Sequence, residues 1–412
     1  MYSVTEKFSK IALRMKSNVI RELLKVTSKP GMISFGGGVP DPDTFPRFEM
    51  AEISKEILEN EYKLTLQYGS TEGDPILREE YISLLKRESG IEGIDVDNLL
   101  VTVGSQSALD LISKILLDED SIYFVSKPVY LGAASAFSLR SDRHVYMSLR
   151  EDGADIDEVE QNLQEIENRG ELNKVKFIYT ISNFHNPAGV TMSLEKRKRL
   201  VEIANKYDVL IVEDDPYGDL RYEGKPIDPI FKIGGQERVL LLKTFSKILS
   251  PGLRLGIVVG NKTIVKKMVT AKQATDLCTP SLTQRIAARY LQRYDLLSQI
   301  EPTIALYREK KDLMLAELER SFGSMEGFHW TKPEGGLFIW FTLPEGFDTA
   351  EMLERGKAAN ILFVPGEAFS LDNTCNNSMR LSFCLPPRED IIEGVRRLKK
   401  IVVEYGKEKN LL

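Results

Sequence analysis

The chain has 412 residues, 42% of them hydrophobic and 28% charged, with a net charge of −6. This length allows a large core and suits two domains, and the acidic balance argues against a nucleic-acid-binding surface. No apolar run approaches the roughly 20 residues of a membrane helix, and the opening Met-Tyr-Ser-Val-Thr-Glu-Lys lacks the apolar centre of a secretory signal. The cysteines (Cys278, Cys375, Cys384) and the histidines (His144, His185, His329) are scattered, without metal-ligand spacing. A cytoplasmic protein with no metal centre and no membrane partner is therefore expected.

The middle of the chain alternates short apolar runs with amphipathic stretches, as a mostly parallel sheet with crossover helices requires. Predicted strands are Leu99–Val103, Ile122–Val125, Lys176–Ile181, Val209–Val212, Val239–Leu242 and Leu255–Val259. A helix over about 106–117 follows the first strand, with Ala108, Ile112 and Ile115 on one face. Another, over about 194–207, starts at a Ser193 cap and turns Val201, Ala204 and Tyr207 inward. Glu301-Pro302 breaks the pattern, and a long helix then runs to about Phe322. A strand-rich segment through Gly336–Phe341 follows, and Ile391, Val395, Leu398 and Val402 fit one face of a terminal helix. The expected fold class is α/β. A large domain over 47–297 carries a mostly parallel sheet flanked by helices; residues 1–46 and 298–412 form a smaller α+β domain.

The unusual polar residues follow the strand ends, where open α/β sheets bind ligands. After Leu99–Val103, Gly104-Ser105-Gln106-Ser107 opens a helix, and free N–H groups at such a start suit a phosphate. After Lys176–Ile181, Asn186 in Asn-Pro-Ala-Gly can donate its amide to a ring oxygen. After Val209–Val212 come Glu213, Asp214 and Asp215, three acids that are costly at a buried strand end unless paired. After Val239–Leu242 comes Lys247, flanked by the hydroxyls of Thr244 and Ser246 and followed by Arg254. An amine held partly away from water becomes a nucleophile, and the hydroxyls and guanidinium form a cradle for a dianionic phosphate. An amine beside a phosphate site points to pyridoxal 5'-phosphate (PLP) held as a Schiff base. Each segment alone also fits a plain cap, an Asn-Pro turn, solvated acids or a polar loop. Their joint occurrence on successive strands has no comparable structural explanation.

With these segments in place, the chain resembles the fold-type I PLP-dependent aminotransferases of class I/II over essentially its whole length. The resemblance implies that Lys247 binds the cofactor and moves the substrate proton. It also implies that Ser105, Gln106, Thr244, Ser246 and Arg254 hold the phosphate, and that Tyr130 in Lys-Pro-Val-Tyr stacks on the pyridine ring. Asn186 and Tyr217 would bind the ring oxygen, Asp214 the ring nitrogen, and Arg380 in Met-Arg-Leu-Ser the substrate α-carboxylate. Tyr68 in Tyr-Gly-Ser-Thr-Glu-Gly is similar to a tyrosine that reaches the phosphate in a neighbouring subunit, which implies a homodimer. Ser34-Phe-Gly-Gly-Gly-Val-Pro40 and Ile20-Arg21-Glu-Leu-Leu-Lys25 resemble the 2-aminoadipate/kynurenine/aromatic branch, which implies that Gly38 meets the substrate and that Arg21, as in some members, binds a distal carboxylate. A surface helix charge is the other reading of Arg21.

Thr244 stands where serine is commoner, Ser182 where proline often stands and His185 where glutamine often stands. The resemblance implies ping-pong transfer between an amino acid (2-aminoadipate, aromatic or branched-chain) and a 2-oxo acid such as 2-oxoglutarate. Two alternatives stay open: a β-lyase or decarboxylase on the same fold, and a regulator with an aminotransferase-like sensor. The regulator needs a DNA-binding module ahead of the fold, and only about 45 residues of low basic charge precede the large domain.

Overall fold

The computed structural model describes residues 4–15 and 30–412, so the predicted site residue Arg21 lies outside the described residues. The centre is an eight-stranded sheet whose strands are, in chain order, β1 (Leu99–Val103), β2 (Ile122–Lys127), β3 (His144–Arg150), β4 (Gly153–Ala154), β5 (Val175–Thr180), β6 (Leu210–Asp214), β7 (Val239–Thr244) and β8 (Leu255–Val259). Their spatial order is β1-β8-β7-β6-β5-β2-β3-β4. The run from β7 through β6, β5 and β2 to β3 is parallel, whereas β8 is antiparallel to both its neighbours and β4 to β3. The α/β architecture with a mostly parallel sheet is thus as expected.

Strands β5, β7 and β8 are buried nearly throughout, because helices cover both faces of the sheet. Continuous apolar runs such as Val239-Leu-Leu-Leu242 are the sequence trace of that double burial. β3 is only half-buried, with Met147 its single buried residue. It carries no such run, and the sequence reading missed it. The helix after β1 spans Gly104–Leu116 and buries Ala108, Leu109, Leu111 and Ile112. The helix Leu194–Lys206 is capped by Ser193, whose Oγ accepts from the Lys196 N–H at 3.3 Å.

A four-stranded antiparallel sheet lies beyond the large one: β9 (His329–Trp330), β10 (Phe338–Thr342), β11 (Val364–Pro365) and β12 (Ser378–Ser382), in the order β9-β10-β12-β11. The terminal helix is Arg388–Glu408, with Ile391, Val395, Leu398 and Val402 buried as their spacing predicts. One expectation fails. Glu301-Pro302 does not break the chain's regularity; the long helix already starts at Leu296 and runs unbroken to Phe322 with Pro302 inside it. A proline in a helix interior forfeits one backbone hydrogen bond and costs about 3 kcal/mol. Burial of Leu296, Ile300 and Thr303 on either side of it offsets that cost.

The sheet's direction explains where the polar residues fall. Thr244 ends β7, Asp214 ends β6, and Asn186 follows β5, all at one edge. Because β8 runs the other way, its start returns to that edge. Val103 pairs with Leu255, which sets Arg254 beside Gly104. Arg254 is in the left-handed region (φ 53°), and a Cβ on Gly104 would lie within 3.0 Å of the Arg254 Cζ. Only glycine leaves room for the guanidinium there.

Candidate active site

A cavity of about 290 Å³ opens at this edge, and Gly38, Ser105, Gln106, Tyr130, Asn186, Asp214, Tyr217, Thr244, Ser246, Lys247, Arg254 and Arg380 all line it. Every predicted site residue among the described ones is present except Tyr68. That ring is 78% exposed and lines a separate surface groove with Leu66, Cys278 and Leu282.

Lys247 is partly buried, and its Nζ donates to the Gly38 carbonyl at 2.8 Å. Burial lowers its pKa to about 8; the cations Arg380 and Arg254 act in the same direction, against the nearby Cys384 thiol. Arg380 stands in the middle of β12 and is buried. Its Nη1 donates to Asn186 Oδ1 at 2.9 Å and its Nη2 to the Gly36 carbonyl at 2.8 Å. The guanidinium carbon lies 4.2 Å from the Phe338 ring centroid and 5.0 Å from that of Phe369. Asn186 Nδ2 donates in turn to the Tyr217 hydroxyl at 3.1 Å, so Arg380, Asn186 and Tyr217 form one chain of hydrogen bonds.

The three consecutive acids are resolved in three ways. Glu213 accepts from Ser182 Oγ at 2.7 Å and from the Ile230 and Phe231 N–H groups at 2.9 and 2.8 Å. Asp215 accepts from Lys243 Nζ at 3.0 Å and Asn183 Nδ2 at 2.9 Å. Burial opposes ionisation of Asp215, but Lys243 and Asn183 outweigh it and hold its pKa below the ordinary value. Among the described residues, Asp214 accepts only from the Tyr179 hydroxyl, at 2.8 Å on Oδ2. Its Oδ1 is buried without a partner, and burial raises its pKa to about 7 against the pull of Tyr179.

A second orphan is Ser105 Oγ, buried at the same edge with no partner among the described residues. The Thr244 Oγ1 lies 3.0 Å from Ser246 Oγ and from the Leu255 carbonyl oxygen. Gln106 Nε2 donates to the Gly132 carbonyl at 2.9 Å. His185 is buried and held neutral, its pKa pushed down to about 3 by burial. Its Nε2 lies 2.7 Å from Ser126 Oγ, and the Ser126 hydroxyl donates to the Pro128 carbonyl at 2.9 Å. Ser126 has spent its proton there, so Nε2 carries the hydrogen of that pair. His185 thereby ties the turn holding Asn186 to the one leading to Tyr130.

Residues 30–398 match the family Aminotransferase class I and II. The chain belongs to that family. It is 44% identical over 401 residues to an aromatic-amino-acid aminotransferase 1 of Thermococcus litoralis, covering 97% of this chain and 95% of the relative. It is 37% identical to a 2-aminoadipate transaminase of Thermus thermophilus, over 96% of both. Its fold matches a solved structure of Pyrococcus horikoshii kynurenine aminotransferase in complex with PMP, with a TM-score of 0.92, 43% identity and coverage of 97% and 98%. The protein is a PLP-dependent transaminase. The cavity fits that cofactor. The orphaned Asp214 Oδ1 calls for an N–H donor, such as a protonated pyridine nitrogen. The orphaned Ser105 hydroxyl and the Arg254 guanidinium share the cavity as partners for a phosphate.

The sequence reading missed Tyr179 and Phe338. Both sit inside apolar strand runs, where an aromatic residue reads as core; only the tertiary structure turns the Tyr179 hydroxyl onto Asp214 and sets the Phe338 ring under Arg380.

Proposed function

We propose that this transaminase moves the amino group of an aromatic, branched-chain or 2-aminoadipate donor to a 2-oxo acid, with 2-oxoglutarate as acceptor. The observation that carries this reading is the convergence of a pKa-lowered amine, a buried guanidinium and an orphaned carboxylate on one cavity. Val39, Ile181 and Phe338 supply an apolar wall beside them, which supports acceptance of apolar side chains. PLP, when bound, supplies the carbonyl that takes up the amino group and the ring that accepts the electron pair left at Cα. Ser105, Gln106, Thr244, Ser246 and Arg254 would hold its phosphate, Tyr130 its ring face, Asn186 and Tyr217 its ring oxygen and Asp214 its ring nitrogen.

Arg380 clamps the donor carboxylate through paired N–H groups, which fixes the Cα hydrogen relative to Lys247. The Lys247 amine then takes that proton as general base, a role its lowered pKa favours near neutrality. Donor and acceptor use the same Arg380 in turn, so the kinetics are ping-pong. We further propose a homodimer in which Tyr68 reaches the neighbouring subunit's phosphate. The exposed strip of Leu64, Leu66, Tyr68 and Leu277 supports an interface there. The unpaired thiols Cys278, Cys375 and Cys384 support a reducing, cytoplasmic setting. Among the described residues, no helix is long and apolar enough to cross a membrane.

The test is an amino-donor panel with 2-oxoglutarate, following glutamate formation. Glutamate from phenylalanine, leucine or 2-aminoadipate is the expected result. Release of ammonia or CO₂ in its place sinks the reading. Repeating the panel on Arg21→Ala assigns the distal-carboxylate role: 2-aminoadipate should suffer and leucine should not.

A further inference from the structure

Lys310 is a charged amine buried in the protein, with 4% of its surface exposed, and the chemistry above does not use it. It lies on the helix Leu296–Phe322 rather than in a segment that follows a strand end. Its Nζ donates to Asp41 Oδ2 at 2.8 Å and to the Cys384 carbonyl at 2.7 Å. These two partners belong to separate segments. Asp41 closes the loop that carries Gly36 and Gly38, and Cys384 follows the strand that carries Arg380. Tyr307, one turn earlier on the same helix face, accepts from the Asp41 N–H at 2.8 Å. At its other end the loop is tied to the same strand, where the Ser382 N–H donates to the Phe35 carbonyl at 2.7 Å.

Between those anchors the loop offers two carbonyls to the two basic side chains proposed to meet substrate. Gly36 accepts from Arg380 and Gly38 from Lys247, both at 2.8 Å. The loop cannot shift without reorienting both. A Cβ on Gly38 would lie 2.8 Å from Phe338 Cζ, so the loop is already packed as close as a backbone can come. A misplacement of about 1 Å at such a clamp is enough to cost up to about a hundredfold in reactivity.

We propose that Lys310 is a positioning residue of the substrate site, pinning the Gly36–Gly38 loop and the Arg380 strand to one helix. Its ion pair with Asp41 sets the geometry of the cage that receives the α-carboxylate shared by amino acid and 2-oxo acid. This inference rests on the reading that Arg380 binds that carboxylate.

The test uses the holoenzyme and three variants: Lys310→Met, Lys310→Met/Asp41→Asn and Arg380→Lys. Donor affinity is read from the concentration dependence of single-turnover absorbance changes, cofactor retention from dialysis, and stability from the melting temperature. Lys310→Met should weaken donor binding by about tenfold or more, leave cofactor retention within about twofold, and lower the melting temperature. Adding Asp41→Asn removes the stranded charge and should restore the melting temperature but not donor affinity. A purely structural lysine predicts otherwise: donor affinity returns with stability in the double variant, and that result overturns the proposal. If Lys310→Met does not fold, the double variant decides alone, and wild-type donor affinity in it is fatal. If Arg380→Lys leaves donor affinity unchanged, the carboxylate reading falls and takes this inference with it. If Arg380→Lys weakens binding and the Lys310 variants do not, only the inference falls.

Discussion

Only a neutral amine attacks a carbonyl, so the surroundings of Lys247 make a quantitative demand on pH. Its pKa is about 8 rather than the ordinary 10.5. At pH 7 roughly one amine in ten is then neutral, against about one in 3,000 for an unshifted lysine, a gain of roughly 300-fold in nucleophile. Arg380→Met removes one of the cations that help burial hold the pKa down, and it leaves no new charge behind. The assay mixes apo-protein with PLP in a stopped-flow instrument between pH 6 and 10 and follows the visible band that marks covalent capture. The logarithm of the rate should climb with unit slope and level off near pH 8 in the native protein. In Arg380→Met the bend should move to higher pH. A native bend at pH 10 or beyond, or a bend that moves down in the variant, refutes the reasoning. The same shift is linked to stability. Between pH 8 and 10.5 the unfolded chain keeps this proton and the folded chain does not, so stability from this group rises with pH. The full window amounts to about 3 kcal/mol, read as the difference between the native apo-protein and Lys247→Met.

Tyr179→Phe strips Asp214 of its single donor among the described residues, so its pKa should climb further above about 7; cofactor affinity should fall by about 5- to 150-fold, the worth of about 1–3 kcal/mol, as measured by fluorescence titration. His185 titrates near 3 in the folded protein and near 6.5 when unfolded, so the stability it contributes is lost as pH falls through that interval. His185→Gln should flatten that acid-side slope in urea melts, whereas His185→Leu should also lower kcat/KM by loosening the Ser126 link. Lys243→Met leaves Asp215 buried with Asn183 as its remaining partner, and denaturant unfolding should register a loss of about 3–5 kcal/mol.

The residues that line the cavity were legible because the sheet is mostly parallel. Each strand that ends at the ligand edge is followed at once by its polar residue, so Ser105, Asn186, Asp214 and Lys247 stand in order along the chain. Chemistry confined to a few residues leaves a local trace, and so does a strand buried on both faces. β3 left none, because most of its residues are only partly buried and polar residues dilute its apolar ones. Pro302 misled for a related reason: local propensity opposed a helix that tertiary burial then imposed.

Local sequence determined the fold class, and it set Lys247, proposed to bind the cofactor, and the residues proposed as its partners in order, since each depends on residues close together in the chain. Apart from the family resemblance, which singles out Asp214, it left open which acid of Glu213, Asp214 and Asp215 would be free, because that depends on donors as distant as Tyr179, Ser182 and Lys243. It also left Lys310 as one more charge on a helix. Only folding brought Asp41 and Cys384 onto it from opposite ends of the chain. Contacts at such separation are chosen by shape and burial, and neither is written in the spacing of the residues.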